Sequence, residues 1–407
     1  MITHKPKPES SSPFDSIPLA VPTIQGNEWR YIKECLDTNW VSSVGAFVDR
    51  FERAMAAQVG TRFAVATVNG TAALHVALIL AGVKPEDEVL VSTLTFIAPV
   101  NAIRYVGAWP VFIDAGSDYW QMDPSHVVDF LERGCRWHNG ALLNRVTGRR
   151  VSAIIPVHIL GHPVDLDRIL EIARKYGLMV IEDATESLGA MYKGRRLGSI
   201  GDISAFSFNG NKIITTGGGG MLATSNEEWA RKAKYLTTQA KDDPTEYIHS
   251  EIGYNYRLTN LLAALGCAQL EQLESFIVAK HQIARRYAEG LQDLRGISIM
   301  KEAPWASSIW WLYTVLVDKI AFGTTSRQLM RALSSRNIQT RPLWQPIHLS
   351  GAHKSASETK LPIAEQLYQQ ALSLPCSANL KIEEQDRVIE EIRAIAAGAR
   401  YDETPCK

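Results

Sequence analysis

Leu178-Met179-Val180-Ile181-Glu182-Asp183-Ala184 is the segment on which the fold turns. Four apolar residues run straight into two carboxylates, a pattern that predicts a strand buried on both faces and ending in charge. In an open α/β sheet, ligands bind at the carboxyl ends of the strands, which makes Asp183 a candidate site residue. Taken alone, it reads equally well as the cap of the following turn.

Outward from this strand, further short apolar runs at 63–67, 88–92, 110–114 and 151–157 alternate with amphipathic stretches. Such alternation predicts an α/β layer with a largely parallel sheet. The helical stretches 71–80, 97–106 and 166–176 each end at a glycine, where a helix should stop. Two more strands, 203–208 and 221–224, flank the run Gly217-Gly218-Gly219-Gly220. Beyond Leu258 the apolar spacing predicts one long connecting helix. A mixed second unit follows, with a strand at 311–317 and helices at 326–335, 363–373 and 382–397. The expected division is a flexible arm over 1–16, a large unit over 17–280 and a smaller α+β unit over 281–407.

The 407 residues include 43 basic and 43 acidic side chains, so no sequence-wide basic field points to nucleic acid. Five scattered cysteines suggest neither a zinc cage nor a disulfide framework. The start, MITHKPKPESSSPFD, lacks the apolar run of a signal peptide, and no stretch is apolar for long enough to cross a bilayer. The expectation is a cytoplasmic protein with no membrane or metal partner.

Two other features stand beside Asp183. In Ser207-Phe208-Asn209-Gly210-Asn211-Lys212 a lysine leaves a strand ahead of a glycine-rich loop, where partial desolvation would make it a Schiff-base candidate. By itself it reads as an ordinary surface lysine. In Asn69-Gly70-Thr71-Ala72 a helix opens directly after a strand, and its free amides and dipole suit a phosphate, or simply mark a capped helix. No GxxxxGK or GxGxxG is present, so neither an ATP nor a dinucleotide site is supported. A phosphate cradle, a carboxylate and an isolated lysine are together the groups that pyridoxal 5'-phosphate requires. Phe96 could stack on its ring, or belong to the core.

The order and wording of these motifs resemble the DegT/DnrJ/StrS-type nucleotide-sugar aminotransferases over roughly 17–380. The resemblance implies the pyridoxal-phosphate-dependent transferase fold of type I. It implies Lys212 in SFNGNKIITTGGGGM as the cofactor-bonding lysine and Asp183 in IEDATESLGA as the partner of the pyridine nitrogen. Gly70, Thr71, Ala72 and Ser207 match its phosphate-binding positions, and Phe96 its stacking aromatic. Glu186 stands where many members have His or Gln, near the ring's phenolic oxygen. Asn255 in GYNYRLTN matches a residue that reaches the neighbouring active site, which implies a homodimer. L-glutamate is the implied amino donor and a nucleotide-linked 4-keto-6-deoxy sugar the acceptor. The product is a 4-amino-4,6-dideoxy sugar for surface polysaccharides such as lipopolysaccharide.

Segments containing Trp40, Ser42, His158, Arg341, Trp344 and His348 resemble substrate-side motifs of the legionaminic acid, bacillosamine and perosamine subgroup. Arg341 can pair with a diphosphate, and Trp40 or Trp344 can stack on a base or sugar. Each tryptophan also reads as core, and His158 as a structural histidine. The polar stretch 134–150 reads as an inserted hairpin or loop similar to one in legionaminic-type members, pointing to a UDP-linked 2-acetamido-4-keto sugar. Similar sugar dehydratases carry histidine in place of the lysine, so Lys212 favours amino transfer over dehydration or lyase chemistry. A non-catalytic regulator with this fold should carry a DNA-binding helical unit, for which the arm before Ile17 is too short.

Overall fold

The strands form where short, largely apolar stretches occur, and the central ones are buried on both faces. The computed structural model describes residues 16–243, 245–353 and 360–401. The expected arm over 1–16 lies outside these, apart from Ser16. Seven strands make the main sheet: β1 (Phe63–Thr67), β2 (Glu88–Ser92), β3 (Trp109–Ile113), β4 (Val151–Ile155), β5 (Met179–Asp183), β6 (Ile203–Ser207) and β7 (Gly220–Thr224). Their order across the sheet is β1-β7-β6-β5-β4-β2-β3. From β6 to β3 all neighbours are parallel, whereas β7 runs antiparallel to both β1 and β6.

Helices cover this sheet. Gly70–Leu80 is buried along nearly its whole length, as its almost uniformly apolar sequence requires. Leu166–Tyr176 ends on Gly177, whose φ of 64° lets its amide return to the Ala173 carbonyl. The long connecting helix expected after Leu258 is instead two helices, Asn260–Leu270 and Leu273–Leu291, bent by 58°. Residue 281, the expected start of the second unit, falls inside the latter. No single helix among the described residues is long and apolar enough to cross a membrane.

A second, antiparallel sheet joins Ile297–Ile299, Tyr313–Val317 and Ala371–Leu374. Here the expected helix over 363–373 is corrected. It stops at Gln370, and Ala371-Leu372-Ser373-Leu374 pairs with Tyr313–Val317. The four residues Ala-Leu-Ser-Leu are too few to carry a period that separates helix from strand, so the tertiary partner decides.

The stretch 134–150 does form a hairpin, Cys135–His138 against Ala141–Asn144. It is fastened to β2 through Glu88, which accepts hydrogen bonds from Asn144 Nδ2 (2.8 Å) and Thr147 Oγ1 (2.7 Å). At the sheet edge, Arg104 and Arg149 lie against the Trp109 ring, 3.8 and 4.6 Å from its centroid, and Pro110 follows within β3.

Candidate active site

At the carboxyl ends of β5 and β6 lies a cavity of about 330 Å³. Eight of the residues expected at a site line it: Gly70, Thr71, Phe96, Asp183, Glu186, Ser207, Lys212 and Trp344. They come from five separate stretches of chain, brought together by the parallel crossovers.

One wall is the start of helix Gly70–Leu80. Asn69 caps it, its side chain accepting the Ala72 amide at 2.8 Å. That bond occupies the amide expected to reach a phosphate at Ala72. Gly70 and Thr71 remain among the first-turn amides that a helix cannot satisfy internally. Gly70 must be small, because a Cβ there would stand 3.0 Å from Ser207 Cβ and 3.1 Å from Thr185 Cγ2. Ser207, at the end of β6, lines the same cavity.

The carboxylates and the amine line the same cavity. Asp183 ends β5 and accepts the Thr185 amide at 3.1 Å through Oδ1. Burial pushes its carboxyl above the usual range, against the lowering pull of Thr185 and Lys212. Glu186 is also buried, and Leu160 N donates to its Oε2 at 2.9 Å. Burial drives its carboxyl up to about 7, with Asp183 adding to the rise and Lys212 opposing it. Lys212 Nζ lies 3.6 Å from Glu186 Oε1 and 4.0 Å from the centroid of Trp311.

Trp311 was not singled out from the sequence as a site residue. Its indole N–H donates to the Asn211 carbonyl at 2.7 Å, and its ring is parallel to that of Trp344 with centroids 6.4 Å apart. Only its distance along the chain from Lys212 hid it, since an aromatic at the head of a strand reads as core.

Other expected residues lie elsewhere. His158 is corrected from a substrate contact to a buried structural residue. Its Nε2–H donates to Glu182 at 3.2 Å and its Nδ1 accepts the Val164 amide at 3.1 Å, with the ring fully buried. Glu182 also accepts the amides of Gly198, Ile200 and Gly201, so the pair stitches β5 to the loop before β6. His348 is engaged by Thr93 Oγ1 (2.7 Å) and Glu365 (3.3 Å). Arg341 is exposed, its guanidinium donating to the Thr340 carbonyl. Trp40 and Ser42 sit on a loop held by Asn260, and Asn255 is exposed, bridging Thr238; none of the three lines the cavity.

The donor set fits pyridoxal 5'-phosphate. The helix start and Ser207 suit its phosphate, buried Asp183 its ring nitrogen, Phe96 its ring face and Lys212 its carbonyl carbon. The sequence profile of the DegT/DnrJ/EryC1/StrS aminotransferase family matches residues 22–393. A GDP-perosamine synthase from Caulobacter vibrioides is 39% identical over 380 residues, covering 93% of this chain and 98% of that protein. One from Escherichia coli O157:H7 is 38% identical, covering 92% and 97%. The crystal structure of the aminotransferase TlmJ from Streptoalloteichus hindustanus superposes with a TM-score of 0.85 at 28% identity, over 94% of this chain and all of that one. The chain therefore belongs to the DegT/DnrJ/EryC1/StrS family of pyridoxal-phosphate-dependent aminotransferases.

Proposed function

We propose that the chain moves the amino group of L-glutamate to C4 of a nucleotide-linked 4-keto-6-deoxy sugar, giving a 4-amino-4,6-dideoxy sugar. The observation that carries this reading is a single lysine, Lys212, beside Glu186 in a cavity also lined by Asp183 and by the helix start at Gly70. When bound, the cofactor supplies an electron sink that acidifies the carbon next to the reacting nitrogen. Lys212 Nζ takes the proton from the alpha carbon of the donor and, in the second half-reaction, helps return one to C4 of the sugar. Asp183 keeps a proton on the ring nitrogen. Gly70, Thr71 and Ser207 hold the phosphate, Phe96 covers the ring, and Glu186 lies on the side of its phenolic oxygen. Asn255 of the partner subunit would complete the phosphate site in a homodimer.

For the acceptor, the hairpin at 134–150 supports a UDP-linked 2-acetamido-4-keto sugar. A second reading, a GDP-linked sugar, is favoured by the two GDP-perosamine synthases, near 40% identical, that it resembles. Incubating the loaded protein with glutamate and UDP- or GDP-linked 4-keto-6-deoxy sugars, with products weighed by mass spectrometry, tests both. Lys212→Ala should abolish turnover. Borohydride trapping should label Lys212, and a label on another lysine would overturn the assignment. Ketone product formed without glutamate consumption would instead indicate dehydration.

A further inference from the structure

Lys280 is a lysine that ordinary surface chemistry does not explain. It lies on the helix Leu273–Leu291, is 4% exposed, and among the described residues no carboxylate pairs with it. Its Nζ donates instead to two carbonyls, those of Trp311 (2.7 Å) and Cys376. Burial pushes its pKa down, and two of its N–H groups serve the two carbonyls. A buried polar group is retained at a cost unless its bonds fix something.

What they fix is Trp311. Its carbonyl is held by Lys280, its amide donates to the Leu160 carbonyl at 3.0 Å, and its indole N–H donates to the Asn211 carbonyl. Leu160 is itself unusual, a buried leucine with φ 60° and ψ 10°. A side chain other than glycine adopts that conformation only where its surroundings over-determine it. Leu160, whose carbonyl receives Trp311, donates its own amide to Glu186 Oε2. Both groups flanking the Lys212 amine, the indole at 4.0 Å and the carboxylate at 3.6 Å, are thus tied to one strained residue.

We propose that Lys280 and Leu160 are positioning residues for Lys212, fixing Trp311 as the aromatic wall against which the site amine rests. The inference rests on the reading of Lys212 as the reactive amine and adds residues far from it in sequence. An amine packed against an indole is covered on that face, so loosening the wall uncovers it and raises its reactivity toward reagent.

The test uses the cofactor-free full chain, labelled with trace acetic anhydride at neutral pH. The Lys212 to Lys33 label ratio is read by peptide mass spectrometry, with exposed Lys33 as the internal standard. Trp311→Leu and Lys280→Met should each raise the ratio about three- to tenfold, the effect of losing an amine–indole contact. Trp311→Phe, which keeps an aromatic face, should stay within about twofold of the parent. The double variant Trp311→Leu with Lys280→Met should exceed neither single change, because both act through one ring. Where Lys280→Met does not fold, Lys280→Gln takes its place and should give a smaller rise. A ratio unchanged in the folded Lys280 variant, with only a lower unfolding temperature, would overturn the proposal, as would equal ratios for Trp311→Leu and Trp311→Phe. Borohydride trapping of the loaded protein judges the cofactor assignment separately, since the labelling experiment involves no cofactor.

Discussion

Replacing Glu186 by glutamine should change how stability responds to pH. An unfolded glutamate loses its proton near 4.5, whereas in the fold burial holds the proton of Glu186 up to about 7. Between these values the native chain binds a proton that the unfolded chain does not, so this residue makes stability fall as pH rises through the window. Above about 7 both states are ionised and the full cost is in place. A gap of that width corresponds to about 3 kcal/mol. Glutamine keeps an oxygen for the Leu160 amide but has nothing to ionise. Urea denaturation of the cofactor-free protein and Glu186→Gln, each followed from pH 4.5 to 8, should show the variant gaining on its parent by about this amount. A constant difference across the range would refute the reasoning, because it would mean that Glu186 titrates alike in both states.

Three further outcomes are expected. Glu182→Gln should lower stability by roughly 3–5 kcal/mol, seen as a lower unfolding midpoint, because the new amide must face at least one of the donors around Glu182. Gly70→Ala should weaken cofactor binding about tenfold in an absorbance titration, as its methyl presses Ser207 and Thr185 away from the helix start; unchanged affinity would remove the wall from the phosphate site. Asn255→Ala and Lys212→Ala proteins, each inactive alone, should regain part of the activity when mixed under exchange conditions, and a mixture that stays inactive would argue against a shared site.

Much of the fold was legible because its signals are local. Each central strand is a short, largely apolar run, and Asp183, Ser207 and Gly70 sit at the junctions where strands end. Lys212 was readable through its glycine-rich neighbourhood. What escaped was set by contacts distant in sequence. Trp311 reaches the cavity because Lys280, 31 residues away, and Leu160 hold its backbone. His158 looked like a site residue at a strand end, yet its ring turns inward because Glu182 offers a buried carboxylate. Ala371–Leu374 became a strand only because Tyr313–Val317 offered an open edge. The break between Leu270 and Leu273 follows no glycine or proline, so the apolar spacing passed straight across it.

The outer margin of the main sheet has a consequence for how copies of this chain can meet. β3 is the terminal strand, Pro110 withholds a donor from its free side, and Trp109 is crowded by two guanidinium groups that would have to be stripped of water before another strand could approach. Growth of the sheet across this border is therefore disfavoured. The same arrangement that leaves a large tryptophan partly open to solvent also guards this edge against strand-to-strand aggregation.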